Sequence, residues 1–181
     1  RTVAIDNRPA RFAVQVNGQD VFMKGGNWVP CDALYGRITP EKVTRLVEEA
    51  AEANFNCVRI WGGGRFELDA FYQACDRCGI LVWHDFMSAC APLPAHLEWF
   101  REAFMREARY QIRRLQNHAC MLLWCGNNEV TQLHGNKLLE DQPDPAWRLY
   151  HRDLPQLVRD LAPGIPYWPT SPYGGRENVH D

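Results

Sequence analysis

Short apolar runs alternate with longer amphipathic stretches along most of the chain. The runs are too short for helices and predict strands at Cys57–Trp61, Ile80–Trp83, Met121–Trp124 and Tyr167–Trp168. Between them, apolar residues recur every three or four positions, which predicts helices. The order is therefore strand, helix, strand, helix, with strands that are apolar on both faces.

Local signals place the ends of the helices. Thr39-Pro40-Glu41 has the cap, the proline and the early acid of a helix start, and Gly79 suits the end of the next helix. A long helix with one apolar stripe is predicted from Leu97 to Leu115, and another covers roughly 147–161. Helices thus connect the strands, as parallel pairing requires.

The first residues follow a different pattern. Residues 12–23 alternate between apolar and polar around Asn17-Gly18, which predicts a β-hairpin. We expect one domain, 1–181, in which residues 1–23 form a lead-in hairpin and residues 24–181 form the main segment.

Strands that are apolar on both faces favour a parallel sheet. Such a series closes as a doubly wound sheet or as a (β/α)8 barrel. A full barrel needs about 250 residues, and this chain has 181. We therefore expect an α/β fold in which the main segment is a partial TIM barrel of about five parallel strands alternating with helices.

Composition and charge narrow the classes of function. Hydrophobic residues make up 46% of the chain, enough for one globular core. The net charge is −2 and the pI about 6.3, so neither nucleic acid nor an anionic membrane is an expected partner. No run approaches the ~20 apolar residues of a membrane span, and no signal-peptide pattern opens the chain. Because it begins at Arg1, we expect a piece of a longer protein.

The chain has seven cysteines, and four of them lie in predicted core segments: Cys57, Cys75, Cys120 and Cys125. Buried free thiols behave as small apolar side chains, so a reducing, cytoplasmic compartment is favoured over a secretory one. Cys75 and Cys78 have CxxC spacing, but both face the apolar side of a predicted helix. No second pair has zinc-site spacing, so we expect core packing and no metal or cofactor.

Polar or aromatic residues stand where four predicted strands end. The endings are Asn27-Trp28, Trp61-Gly62, His84-Asp85 and Asn127-Asn128-Glu129. The carboxyl ends of parallel strands meet at one edge of a sheet, so these endings predict a single polar pocket. Glu129 stands where an enzyme would keep a proton-transferring acid. The alternative is that its segment merely caps the next turn.

The residue types suit carbohydrate chemistry. Acids transfer protons, amides bind hydroxyl groups, and indole faces pack against the C–H side of a sugar. The motifs of zinc peptidases, serine hydrolases and P-loop enzymes are absent from the sequence, and Gly62-Gly63-Gly64 lacks the spacing of a phosphate loop. His84 is either a catalytic base or a hydrogen-bonding neighbour of Asp85.

Five segments carry a resemblance to a known family. They are Phe22-Met-Lys-Gly-Gly-Asn-Trp28, Val58-Arg-Ile-Trp-Gly-Gly-Gly64, Leu81-Val-Trp-His-Asp-Phe-Met87, Leu123-Trp-Cys-Gly-Asn-Asn-Glu129 and Pro166-Tyr-Trp-Pro-Thr-Ser-Pro172. In order and spacing, over about residues 12–175, they resemble the β-mannosidase branch of glycoside hydrolase family 2. The string that ends at Glu129 is the most specific.

The resemblance implies a reaction and two central residues. It implies a (β/α)8 barrel that removes terminal non-reducing β-D-mannosyl residues with retention, using two glutamates. Glu129 would be the general acid/base, and Asn128 would bind the sugar 2-hydroxyl.

The resemblance also extends to the surroundings of these two residues. Trp61 and Asp85 match positions that line the terminal-sugar subsite, and Arg59 matches a position that supports the nucleophile. We add Asn27, at its strand end, to the substrate-binding set. His84 stands where Gln is more usual in the family, which leaves the detail around Asp85 open.

The nucleophile of the family is a glutamate near the end of the seventh strand, which five strands do not reach. Glu177 lies in a Gly- and Arg-rich stretch after the predicted fifth strand, and we do not assign it this role. A five-stranded partial barrel also leaves two edge strands with unpaired backbone groups. We therefore expect the chain to belong to a longer protein or to associate with itself.

Two other functions stay open at this point. One is a sister exo-β-glycosidase that acts on glucosaminides, galactosides or glucuronides and differs in the loops around the sugar. The other is a carbohydrate-binding half-barrel without catalysis. A flavodoxin-like sheet is disfavoured because its phosphate-binding loop is absent.

The 181-residue chain alone should have little or no hydrolytic activity. Retention requires two carboxyl groups about 5–5.5 Å apart, and one of them is missing from the predicted strands. Release of the phenol from an aryl β-mannoside measures this directly, and appreciable turnover by the purified chain would contradict the prediction.

Overall fold

A parallel sheet organises the main segment, as seen in the computed structural model, which describes residues 2–6, 12–133 and 145–173. The strands are β1 Val3–Asp6, β2 Ala13–Val16, β3 Gln19–Val21, β4 Gly25–Trp28, β5 Cys57–Ile60, β6 Leu81–Asp85, β7 Met121–Cys125 and β8 Tyr167–Trp168. The α-helices are α1 Pro40–Glu52, α2 Asp69–Cys78, α3 Glu98–Leu115, α4 Val130–Leu133, α5 Pro145–Arg148 and α6 Leu154–Leu161. A 3₁₀ turn covers Tyr35–Arg37 and a π-helical turn covers Leu149–Asp153.

The five strands of the main sheet lie side by side in chain order, from β4 to β8, and every pair is parallel. A doubly wound sheet reverses its strand order at a switch point, and this sheet does not. An unreversed order with right-handed crossovers puts the helices on one face, as in a barrel. The predicted partial barrel is confirmed, and the predicted strand that ends at Asn27-Trp28 is β4, the first strand of this sheet.

The two faces of the main sheet have different partners. One face packs on the helices in a large core that includes Val58, Ile60 and Trp124. The other face, with Leu123 and Trp168, packs on the three-stranded sheet β1–β3. Val14 of that sheet is buried in this contact. Side chains alternate between the faces along each strand, so neighbouring residues take different roles.

The hairpin at the start of the chain is present and has a third strand. Asn17 and Gly18 have φ of 52° and 78°, the left-handed conformation that a tight hairpin turn requires. Strand β1 pairs antiparallel with β2, which the sequence pattern did not predict. Residues 7–11, which connect the two strands, lie outside the described residues.

The helix signals are confirmed with one interruption. The Thr39 hydroxyl accepts a hydrogen bond from the Lys42 amide at 3.3 Å, and Gly79 has φ of 70° at the end of α2. The helix predicted over roughly 147–161 contains the π-helical turn just before Pro155. Because proline has no N–H to donate, it cannot continue the regular hydrogen-bond ladder.

None of the seven cysteines, all of which lie within the described residues, forms a disulfide bond. The four predicted to lie in the core are buried, and Cys78 packs against the same core as Cys75. No helix among the described residues is long and apolar enough to cross a membrane.

His84 lies on the helix side of the sheet, so the catalytic-base alternative is wrong for this residue. Its side chain is fully buried between Phe66, Tyr72 and Trp124. Nδ1 lies 2.7 Å from the Asp85 carbonyl oxygen, which can only accept, so Nδ1 carries the proton. Nε2 therefore accepts from the Tyr72 hydroxyl at 2.8 Å. Burial lowers the pKa of His84 to about 3.

Acid should destabilise the fold through His84. In the unfolded chain this residue takes up a proton below its ordinary pKa of 6.5, whereas the folded state excludes the proton until about pH 3. Its contribution is complete above pH 6.5 and falls by about 2 kcal/mol at pH 5 through proton linkage. Urea unfolding at pH 7 and pH 5 measures the loss, which His84→Gln should reduce. His96→Gln, at an exposed site, is the matched control; equal pH dependence in the two variants would contradict the assignment.

Candidate active site

Arg59 lies at the centre of the polar residues at the carboxyl ends of the strands. Its guanidinium donates to Asp85 through Nε at 3.2 Å and Nη2 at 2.8 Å, a two-pronged ion pair. Nη1 donates to Asn27 Oδ1 at 3.2 Å, and Nη2 also donates to Asn128 Oδ1 at 2.7 Å. Four of the six predicted site residues therefore form one hydrogen-bonded network.

Asp85 is the buried anchor of this network, with no exposed surface. Its carboxylate also accepts from the Gly62 amide at 3.0 Å and from Trp83 Nε1 at 3.0 Å. Burial raises the pKa of Asp85, and Arg59 and the two N–H donors oppose that rise. The oxygens thus have donors on several sides, as a carboxylate removed from water requires.

Gly62 is needed where β5 approaches the chain that follows β6. A Cβ at this position would lie 2.6 Å from the Ser88 carbonyl oxygen and 2.8 Å from that of Phe86. Any side chain would therefore push the Gly62 amide away from Asp85. The first glycine of the Gly62–Gly64 run thus serves close packing at the site.

Asn127 caps the next turn, the role considered above as an alternative for the whole segment from Asn127 to Glu129. Its Oδ1 accepts from the Val130 amide at 3.1 Å, at the start of α4, and from the Thr170 hydroxyl at 2.7 Å. Its Nδ2 donates to the Pro169 carbonyl at 3.2 Å. The side chain of Asn127 is therefore bonded to the backbone and to Thr170, whereas that of Asn128 belongs to the network around Arg59.

Glu129 is exposed, but its backbone is tightly held. Its φ is 63°, a left-handed conformation rarely adopted by residues other than glycine. The Glu129 amide donates to the Ser171 carbonyl at 2.8 Å, and Asn128 forms parallel bridges to Ala89 and Ser171. The segments around Ala89 and Ser171 thus fix the position of the Glu129 backbone, from which the carboxylate extends.

Trp61 stands apart from the hydrogen-bonded network. Its amide donates to the Trp28 carbonyl at 3.2 Å, and its half-buried indole lies so close to Gly63 that a Cβ there would collide with the ring. The structure therefore holds the indole through Gly63 rather than through Arg59.

Two further residues contact the network and were not predicted. Trp83 donates to Asp85, and Cys90 Sγ accepts from Asn128 Nδ2 at 3.3 Å and lies 3.4 Å from Glu129 Oε2. Trp83 precedes Asp85 by two positions in the same strand, so strand alternation alone places both on one face. Cys90 lies in the loop after β6, and no pattern in the sequence indicates where that loop runs.

One group among the described residues has ligand atoms close enough to share a metal ion: Asp76, His118 and Cys120. It lies at the amino ends of the strands, away from Glu129. The Asp76 carboxylate already accepts from His118 Nδ1 at 2.6 Å and from the Cys120 amide at 2.7 Å. These contacts join α2 to the start of β7. Glu177, the remaining acid considered above, lies outside the described residues.

Comparisons with known proteins agree with this architecture. No family model matches the chain. Beta-mannosidase B of Emericella nidulans is 36% identical over the whole chain, and beta-mannosidase of Mus musculus is 34% identical over 94% of it. The chain spans 23% and 20% of these relatives. The crystal structure of beta-D-mannosidase from Dictyoglomus thermophilum superposes on 99% of the chain with a TM-score of 0.85 and 39% identity, over 22% of its own length.

The fold is a partial (β/α)8 barrel with a polar cluster at the carboxyl ends of its strands. With relatives at this identity along its whole length, the chain is a β-mannosidase-like segment of glycoside hydrolase family 2.

Removing Arg59 should destabilise the fold far more than removing an exposed arginine. Arg59→Met leaves the Asp85 charge buried without its cation, which costs about 3–5 kcal/mol in comparable cases. Adding Asp85→Asn should recover part of the loss because the unpaired charge disappears. Denaturant unfolding of the chain measures both effects.

Arg37→Met is the matched control for this prediction. Arg37 pairs with Asp32 at 3.3 Å but is 69% exposed, so its loss should be small. Similar losses for the two arginines would show that the buried pair does not stabilise the site.

Proposed function

We propose that this chain carries the acid/base half of a retaining β-glycosidase that removes terminal β-D-mannosyl residues. The observation that supports this best is the mounting of Glu129. Its carboxyl group is exposed, and its backbone is strained and held by hydrogen bonds at both its amide and its carbonyl group. Glu129 follows Asn128, which is hydrogen-bonded to Arg59, the partner of Asp85. Strain of this kind is concentrated at functional sites.

In the proposed reaction Glu129 acts twice. It first donates its proton to the glycosidic oxygen while the bond from that oxygen to the anomeric carbon breaks. A second carboxylate attacks the anomeric carbon and forms a glycosyl-enzyme. The ionised Glu129 then takes a proton from water, whose oxygen displaces the second carboxylate. We place that second carboxylate in parts of the enzyme that the described residues do not include.

Asn128 is proposed to bind the sugar 2-hydroxyl. Its Oδ1 is taken by Arg59 at 2.7 Å, so its Nδ2 is the group directed toward other partners. A donor at the 2-hydroxyl strengthens as positive charge develops at the anomeric carbon. Arg59 thus determines which end of the amide the substrate meets.

The remaining predicted residues are proposed to act around these two. Asp85 is fully buried and accepts from Arg59, Gly62 and Trp83, so we propose that it acts by holding Arg59. Arg59 and Asn27, which is exposed, border the space where the second carboxylate and the sugar would lie. The indole of Trp61 offers an apolar face for the C–H side of a sugar.

The sister specificities are separated by substrate rather than by this site. A panel of aryl β-mannoside, glucosaminide, galactoside and glucuronide substrates, given to the full-length protein, identifies the sugar. Preference for the mannoside supports the proposal. Preference for another sugar would change the proposed substrate but not the proposed role of Glu129.

Substitution of Glu129 tests the role of this acid in the full-length protein. Glu129→Ala should lower kcat/KM by about 10²–10⁴-fold for a glycoside with a poor leaving group, because proton donation is lost. A dinitrophenyl glycoside needs no proton to depart, so its glycosylation step should be retained, and azide should restore turnover by attacking the glycosyl-enzyme.

Glu52→Ala, at an exposed position on α1, is the matched control and should leave both substrates unaffected. If Glu129→Ala slowed both substrates equally and azide restored neither, Glu129 would not be the acid/base.

A further inference from the structure

Cys90 lies between the two central residues of the candidate site. Its Sγ is 3.4 Å from Glu129 Oε2 and 3.3 Å from Asn128 Nδ2. Both distances are within hydrogen-bonding range for sulfur. The other six cysteines are buried or half-buried, whereas Cys90 is exposed.

The direction of each hydrogen bond follows from the chemistry of the groups. The Arg59 guanidinium can only donate, so the atom of Asn128 that faces it is the carbonyl Oδ1. The amide Nδ2 of Asn128 must then donate to Cys90 Sγ. The Cys90 S–H donates to Glu129 Oε2, an oxygen that can accept whether or not the other oxygen of the carboxyl group carries a proton. The donors therefore run in one direction, from Arg59 through Asn128 and Cys90 to Glu129.

The backbone holds the thiol in this position. The Cys90 amide donates to the Asn128 carbonyl at 2.9 Å, and the Asn128 amide donates to the Ser88 carbonyl at 2.9 Å. Cys90 has φ of 53°, so it shares with Glu129 a left-handed conformation that is unfavourable for side-chain-bearing residues. Two strained positions that face one another across these bonds indicate a local structure that the fold maintains.

We propose that Cys90 is a positioning residue, whose S–H holds the Glu129 carboxylate and links its orientation to Arg59 through Asn128. The expected effect of Cys90 on turnover rests on the proposed function of Glu129, whereas the contact between the two residues does not.

The ionisation of the thiol is consistent with a donor. Partial loss of water around the sulfur raises the pKa of Cys90, and the hydrogen bond to Glu129 and the charge of that residue raise it further, while Asn128 and Arg59 act in the opposite direction. At neutral pH the group is therefore S–H, able to donate, rather than a thiolate.

A first experiment tests the contact in the 181-residue chain, without any need for catalysis. Cys31→Ser and Cys78→Ser remove the two half-buried thiols, so that Cys90 is the exposed one left to react with iodoacetamide. The alkylation rate is measured against pH with and without Glu129→Gln. Loss of the neighbouring negative charge should move the midpoint to lower pH by about half a unit or more. An unchanged midpoint would overturn the contact, whatever the chain does to a glycoside.

A second experiment tests the positioning role in the full-length protein. Cys90→Ala removes the S–H that holds the Glu129 carboxyl group in position. For a poor leaving group, kcat/KM should fall by about tenfold, the size expected from one hydrogen bond to a charged group. Cys90→Ser retains a donor and an acceptor and should restore most of the rate.

Cys78→Ser, in the helix layer away from Glu129, is the matched control and should leave kcat/KM unchanged. A wild-type kcat/KM in Cys90→Ala, or equal losses in the Ala and Ser variants, would overturn the positioning role. If Glu129→Ala shows that Glu129 is not the acid/base while the alkylation midpoint still shifts, the contact stands and the proposed function fails.

Discussion

The buried ion pair between Arg59 and Asp85 is the interaction on which the site depends. A carboxylate without exposed surface is tolerated only with a cation and further donors close by, and Arg59 meets that need with two N–H groups. The same guanidinium then reaches Asn27 and Asn128. Because these four residues come from β4, β5, β6 and the chain after β7, one side chain ties together the carboxyl ends of four strands.

The alternation of side chains along the strands separates chemistry from packing. Arg59 and Asp85 form the polar network, whereas their neighbours Ile60 and His84 pack with the helices. His84 and Tyr72 carry a buried polar contact from α2 to the Asp85 backbone. The helix layer thus supports the end of β6 from behind while its carboxylate serves the site. A histidine and a glutamine both offer a donor and an acceptor, so either type suits such a position.

The same geometry separates the two sides of the proposed active site, the proton-transferring side and the nucleophile side. Among the described residues, three features hold Glu129 in place: the bridges of Asn128, the cap supplied by Asn127, and the thiol of Cys90. The chain spans 23% of beta-mannosidase B of Emericella nidulans. We therefore propose that the proton-transferring side of the site is assembled by this segment and that the nucleophile side is completed elsewhere in the enzyme.

The sequence alone determined the alternation of strands and helices from β4 onward, the buried thiols, and the edge of the sheet where Asn27, Asp85 and Asn128 meet. Each of these follows from local periodicity, from caps such as Gly79, or from the rule that parallel strands end together. Tertiary structure alone decided that β1 adds to the hairpin, that His84 faces the helices, and that the loop after β6 brings Cys90 to Glu129. Strand addition and loop paths depend on packing between distant segments, and no local pattern in the chain records those contacts.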